Sequence, residues 1–308
     1  MTTLRSLLRN YGIYVALVIV LAVMSALSPR YLTQANLLNV LTQMSILSVL
    51  AVGMTLLLVT GNFDLSVGST MGLTAAISLG LSLTTQTWIV VVASLAIGLT
   101  IGLVNGLIVV KAGINSLIVT LGMMSLVRGL TLIYTNGSSI QGEGTGFLAV
   151  VNGTTVIPNL TWVMIFIAVA MSVMLTRTRS GRYFTAIGSN ADAARIAGIQ
   201  VDRYKIAAFM TMGLLASTAG ILLAARVNSV DPLAGSGFEL QCIAAVVIGG
   251  TSLSGGQGSI GNSVVGAAIL TSLNNGFNLL NVGSYYQGVL QGAVIILSVA
   301  LYTRKVGS

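Results

Sequence analysis

The sequence predicts an all-α polytopic membrane protein with about ten transmembrane helices and both termini in the cytoplasm. Three observations predict it. Of 308 residues, 55% are hydrophobic and only 6% are charged, far below the ~25% charged content of soluble domains. Apolar windows of roughly 18 residues or more follow one another, each able to cross a hydrocarbon core of about 30 Å as a helix. The basic residues fall almost wholly on one side of the alternating topology this generates.

The spans are expected at roughly 12–28, 42–60, 66–83, 88–110, 115–135, 160–176, 206–225, 240–254, 258–273 and 286–302. The first resembles a signal peptide, with Arg5 and Arg9 ahead of an apolar run and Ala26-Leu27-Ser28 placed like a cleavage site. Because many spans follow, it reads as a retained helix. The 240–273 region reads either as two spans or as one broken helical hairpin. With ten spans, the inner segments carry eleven of the fourteen basic residues and the outer segments only Arg30 and Arg226. The net charge of +8 therefore reports orientation rather than nucleic-acid binding. Trp88 and Tyr285-Tyr286 fall where interfacial aromatics anchor.

The second and third spans meet at "GNFDLSVG", residues 61–68. Gly61 ends one helix and Asp64 begins the next, its carboxylate free to accept N–H bonds from Ser66 or Val67 at the positive end of the dipole. Gly68 permits a close helix contact. The fourth span holds Gly98, Gly102 and Gly106, a flat face for another helix; Gly68/Gly72 and Ala216/Gly220 read alike. The fifth carries Ser125, Arg128, Thr131 and Thr135 at helical spacing. An arginine within a span costs about 2.5–3.5 kcal/mol on insertion scales, so it faces a polar cavity or bonds to nearby carbonyls. Both readings of Arg128 stay open. Asn274, Asn275, Asn278 and Asn281 can bond sugar hydroxyls, but read first as an outer loop.

Two long segments join spans. Residues 136–159 are rich in Gly, Thr and Asn; residues 177–205 are basic. In the latter, Ser189 or Asn190 can cap a short helix, Asp192 suits its first turn, Ala193, Ala194, Arg195 and Ile196 tolerate helix, and Gly198 stops it. A capped knob on a cytoplasmic loop points to a docking partner. There is no His and one Cys, and no paired carboxylates, Ser-His arrangement, CxxC or phosphate loop. Catalysis, a metal site and a disulfide are therefore not expected, and the work is binding and passage.

"GNFDLSVGS", "AIGSNADAARIAGI", "IAAVVIGGTSLSGGQGSIGNSVVGAAIL" and "LNNGFNLLNV" resemble the monosaccharide permease subunits of bacterial ABC importers, with ribose, xylose and arabinose permeases the nearest group. The resemblance runs from about residue 28 to 302. It implies one permease domain over the whole chain, in the inner membrane, paired with a second permease copy, identical or related. It implies an ABC ATPase below, of tandem-domain type, which binds the ATP and Mg, and a periplasmic sugar-binding protein above, on segments 136–159 and 226–239. Gly188, Asn190, Ala193, Ala194 and Gly198 match the segment that docks on the ATPase. The rival class is an ion-coupled secondary transporter, with Asp64 as a cation site and Arg128 holding an anion. Against it, Asp64 falls near the inner boundary and the coupling-like segment has no use in a lone transporter.

Overall fold

A computed structural model describes residues 2–142, 151, 153–283, 286, 288–289 and 292–293. Eleven helices and one two-stranded antiparallel ladder are seen among them. Most of the expected tenth span, with Tyr285, Arg304, Lys305 and Glu143, lies outside the described residues.

Helix α1 spans Thr2–Leu27 and α2 spans Gln34–Val59. From Ser45 to Val59 every residue of α2 is buried. A helix apolar all round belongs at a bundle centre, and α2 packs on five later helices. Gly61, at φ 75°, stops it: the Gly61 N–H donates to Leu58 O at 2.8 Å and the Asn62 N–H to Leu57 O at 3.2 Å. Helix α3 is shorter, Val67–Ser82, and almost wholly buried. Next come α4, Thr87–Lys111, and α5, Ser116–Thr135, which is started by Asn115 accepting from the Leu117 N–H and ended at left-handed Asn136. Then follow α6, Asn159–Arg177; α7, Arg179–Ser189; α8, Ala191–Ile196; and α9, Val201–Val227. The described part closes with α10, Phe238–Ile248, and α11, Ile260–Leu279. Strand β1, Ile140–Gln141, pairs with β2, Ser229–Val230, joining the far ends of α5 and α9.

Helices α2, α4, α5, α6 and α9 are each long and apolar enough to cross a membrane. Large side chains such as Val18, Val92, Ile118, Ile133 and Phe166 point outward from α1, α4, α5 and α6, as suits helices bathed in lipid. Helix α10 is different. Its 11 residues rise about 16 Å, half a bilayer. A loop of Gly249–Ser259 then leads into α11. Residues 240–273 are thus a helical hairpin with one short arm, not two full spans.

The glycine face of α4 packs where expected. A Cβ on Gly98 would strike Gly213 O and Ser217, one on Gly102 would strike Phe209 O, and one on Gly106 would lie 3.0 Å from the Ile206 Cα. Helices α4 and α9 therefore touch backbone to backbone. Gly220 meets α3 at Thr74 and Met71 O. Gly68 and Gly72 differ: they meet a loop backbone rather than a helix backbone, with Glu239 of α10 also against Gly68. Their open sides receive the carbonyls of Gly235 and Ala234. Residues 231–237, expected in an outer loop, turn back along α3, with Pro232 and Gly235 buried.

Candidate functional site

Three features bring the candidate residues into place: the loop of Thr60–Ser66, the α7–α8 unit, and the returning turn segment of 231–237.

In the first, Thr60, Asn62, Asp64 and Ser66 are all buried, Asp64 being 2% exposed. Asp64 Oδ1 accepts from the Ser66 N–H at 2.8 Å and from the Ser66 hydroxyl at 2.6 Å. Asn105 on α4 donates from Nδ2 to Ser66 Oγ at 3.0 Å and reaches Asp64 Oδ2 at 3.5 Å. From α5, Ser116 Oγ accepts the Phe63 N–H at 3.2 Å and Thr120 Oγ1 accepts the Leu65 N–H at 3.1 Å. The loop is thus pinned by two helices, and Asp64 organises the turn into α3. Its carboxylate makes no ion pair among the described residues.

The second feature is more elaborate than the single capped helix expected. Thr178 Oγ1 accepts the Gly181 N–H at 3.2 Å and starts α7, whose Gly181, Phe184 and Ile187 face inward. Tyr204 packs edge-on against Tyr183 and Phe184, with ring centroids 5.3 and 5.4 Å away. Asn190 then caps α8, its Oδ1 accepting the Ala193 N–H at 2.9 Å. Gly198, at φ 83°, closes α8 with a paired stop: the Gly198 N–H donates to Arg195 O and the Ile199 N–H to Ala194 O, each at 3.0 Å. Helix α8 is therefore six residues, under two turns.

Ala194, expected on the docking face, is instead 5% exposed and packs with Ile187 and Val201 in a small core of its own. Gly188 is not on that face either. It belongs to α7, with Val59 O and the Gly256 N–H against its open side. What faces solvent is Asp192, Ala193, Arg195 and, above all, Ile196 at 89% exposed. Arg195 pairs with Asp192 at 3.7 Å and with Asp202 at 3.3 Å, and Lys111 also reaches Asp202 at 3.3 Å. These exposed pairs contribute little stability; they join α8 to the starts of α9 and the end of α4. Along the chain Ile196 reads only as helix-tolerant. Its signal was an apolar β-branched residue two positions before the helix-stopping glycine.

In the third feature, Arg128 Nη1 donates to Ala234 O at 2.7 Å and to Pro232 O at 3.4 Å. Of its two readings, the geometry is that of an arginine bonding carbonyls. The polar stripe of α5 is split: Thr131 and Thr135 are buried, Arg128 is half-buried, and Ser125 is exposed. Gly122 and Gly129, on the Ser125 side, have open space where a Cβ would stand. Of the four asparagines only Asn281, at φ 54°, lies in a turn beyond the helix. Asn274, Asn275 and Asn278 lie in the last turns of α11. Asn275 and Asn36 exchange amide hydrogen bonds, both at 2.9 Å, clamping α11 to α2. That buried amide has no free face for a solute.

A second loop, Gly249–Ser259, lies within the 240–273 hairpin and the motif quoted for it. It carries Gly249-x-x-x-Leu253-Ser254-x-Gly256, the same pattern as Gly61-x-x-x-Leu65-Ser66-x-Gly68. Each pattern follows the end of a buried apolar helix.

Residues 36–299 match the family described as the branched-chain amino acid transport system / permease component. The chain belongs to this permease family. It is 44% identical over 300 residues to the ribose import permease protein RbsC of Escherichia coli K12, covering 94% of this chain and 92% of that one. It is 40% identical over 304 residues to RbsC of Bacillus subtilis, covering 97% and 94%. With the L-arabinose transport system permease protein AraH of Escherichia coli it shares 37% over 294 residues, covering 94% and 89%. No solved structure matches. The permease segments described above, from α2 to the asparagines of α11, fall within the matched residues.

Proposed function

We propose that this permease is the non-catalytic membrane subunit of an ATP-driven importer that carries a monosaccharide of the ribose type. The observation that carries the reading is the α7–α8 unit on a chain of this family: a capped, self-cored knob whose outermost residue is a bare isoleucine. A lone transporter has no use for such a knob, whereas a subunit powered from outside needs one. Full-length likeness to permeases named for ribose, allose and arabinose supports a sugar as cargo. The scarcity of charge agrees, since a neutral sugar needs no charged site. ATP and Mg would bind the partner ATPase, of tandem-domain type.

The α8 end is then cytoplasmic, with both termini on that side of the bacterial inner membrane, and a periplasmic sugar-binding protein meets the opposite end. Two permease copies, identical or related, would pair with the solute passing between them. The open side of α5 suits that boundary: Ser125 with Gly122 and Gly129 leaves a small-residue, hydroxyl-bearing surface uncovered in one chain. Ile118 stands on the same face at 68% exposed, so a second permease copy covering this side would meet both an apolar and a hydroxyl-bearing surface. The test is uptake into proteoliposomes. Ribose uptake should require the ATPase, ATP and the binding protein, and should ignore proton and sodium gradients. Gradient-driven uptake by this chain alone would overturn the reading.

A further inference from the structure

At the α8 end of the bundle three stretches of bare backbone meet. They are the end of α2 (Val59–Gly61), the middle of the second patterned loop (Gly255–Gly256), and the end of α7 (Gly188–Ser189). The Gly256 N–H donates to Val59 O at 2.9 Å. A Cβ on Gly188 would run into Val59 O and would lie 2.5 Å from the Gly256 nitrogen. One on Gly255 would lie 2.8 Å from Gly188 O and 3.1 Å from the Gly61 Cα, and one on Gly256 would strike Ser189. Gly61, Gly255 and Gly256 all have positive φ, at 75°, 88° and 75°, which side-chain-bearing residues adopt at a cost. Around Gly188 and Gly255 every close atom is backbone, so no rotamer change can relieve a Cβ there; only at Gly256 does a side chain, the Ser189 hydroxyl, enter the contact.

Position gives this contact its meaning. Gly188 stands two residues before Asn190, the cap of α8, and α7 and α8 share the Ile187–Ala194–Val201 core. The knob and Gly188 therefore move together. On the other side of the contact stand the two loops of like pattern. One opens the turn that Asp64 organises; the other joins α10 to α11. Packed interfaces shift between discrete arrangements rather than deforming smoothly. A displacement of α8 therefore has a direct backbone route to both patterned loops at this contact, beside its links to α9 and α4 through Val201 and Asp202.

We propose that Gly188, Gly255 and Gly256, with the Val59–Gly61 turn, form a backbone joint that passes motion of the α7–α8 knob to both hairpins. These are positioning residues of the transport cycle, not docking or solute-contact residues. The proposal rests on the reading of the chain as an ATP-driven permease.

The test uses the full complex of permease, ATPase and binding protein in proteoliposomes. It compares wild type with Gly188→Ala and with Gly261→Ala, a glycine with open space where its Cβ would stand. Capture of the ATPase, ATP hydrolysis and uptake are measured on the same sample. Gly188→Ala is expected to capture the ATPase as wild type does and to hydrolyse ATP. Its uptake per ATP should fall by about tenfold, within the range by which residues along a coupling route alter coupling. Gly261→Ala should match wild type. Should Gly188→Ala fail to reach the membrane, Ser189→Leu enlarges the same contact from its exposed edge and should show the same loss. Unchanged uptake per ATP in whichever variant inserts overturns the joint. Absence of ATP-dependent uptake in wild type would instead overturn the importer reading, so the two failures are distinct.

Discussion

Replacing Ile196 by Ala tests whether the α8 knob docks on a partner. Ile196 is 89% exposed on a helix whose neighbour Ala194 is turned inward, so the substitution removes no internal contact. Surface changes of this kind leave folding within about 0.5 kcal/mol. At a docked interface the account is different. Isoleucine carries three more carbons than alanine, and each buried CH2 contributes about 0.8 kcal/mol. Full burial against the ATPase would then forfeit about 2.4 kcal/mol, or roughly fiftyfold in Kd at about 1.4 kcal/mol per decade. The assay is titration of the ATPase onto permease held in lipid nanodiscs, with thermal unfolding measured alongside. Val227→Ala, at the far end of α9 and 50% exposed, is the matched control and should bind as wild type. A Kd for Ile196→Ala within twofold of wild type would refute the assignment of α8 as the docking element. Ala194→Glu is a poorer probe, because it buries a carboxylate in the small core with Ile187 and Val201 and breaks the knob itself.

Two other substitutions test the remaining features. Asp64→Asn should retain transport, because its Oδ1 can still accept from the Ser66 N–H and hydroxyl. Asp64→Ala strands the Ser66 N–H and should lower stability by about 1–3 kcal/mol in denaturant titration; an inactive Asn variant would restore the charge itself to importance. Arg128→Met removes both donors to 231–237 and leaves Ala234 O without its 2.7 Å bond. Limited proteolysis should then cut near Leu233 more readily than in wild type, and an unchanged cleavage pattern would mean that Arg128 does not hold this segment.

Much of this protein was written in local chemistry. The apolar windows of α2, α4, α5, α6 and α9, the glycine face of α4, the stop at Gly61 and the cap and stop of α8 at Asn190 and Gly198 each depend on residues within a few positions or on one helical period. Such signals survive whatever the rest of the chain does, because dihedral preference and the cost of an unbonded backbone group are local. The monosaccharide-permease resemblance was likewise carried by contiguous motifs.

What only the tertiary structure decided are the pairings between distant segments. Composition cannot tell that 231–237 returns along α3 to fill the space over Gly68 and Gly72, or that Arg128 holds it there. Nor does it show that Asn275 belongs to Asn36, that Ala194 turns inward while Ile196 turns out, or that Gly188 seats on Val59 and Gly256. Each concerns which surface meets which, and a glycine or an amide fits many partners equally well when read along the chain. By itself the sequence determined a multi-span helical permease with a capped knob; packing in three dimensions decided which face of that knob is free and which backbone it rests upon.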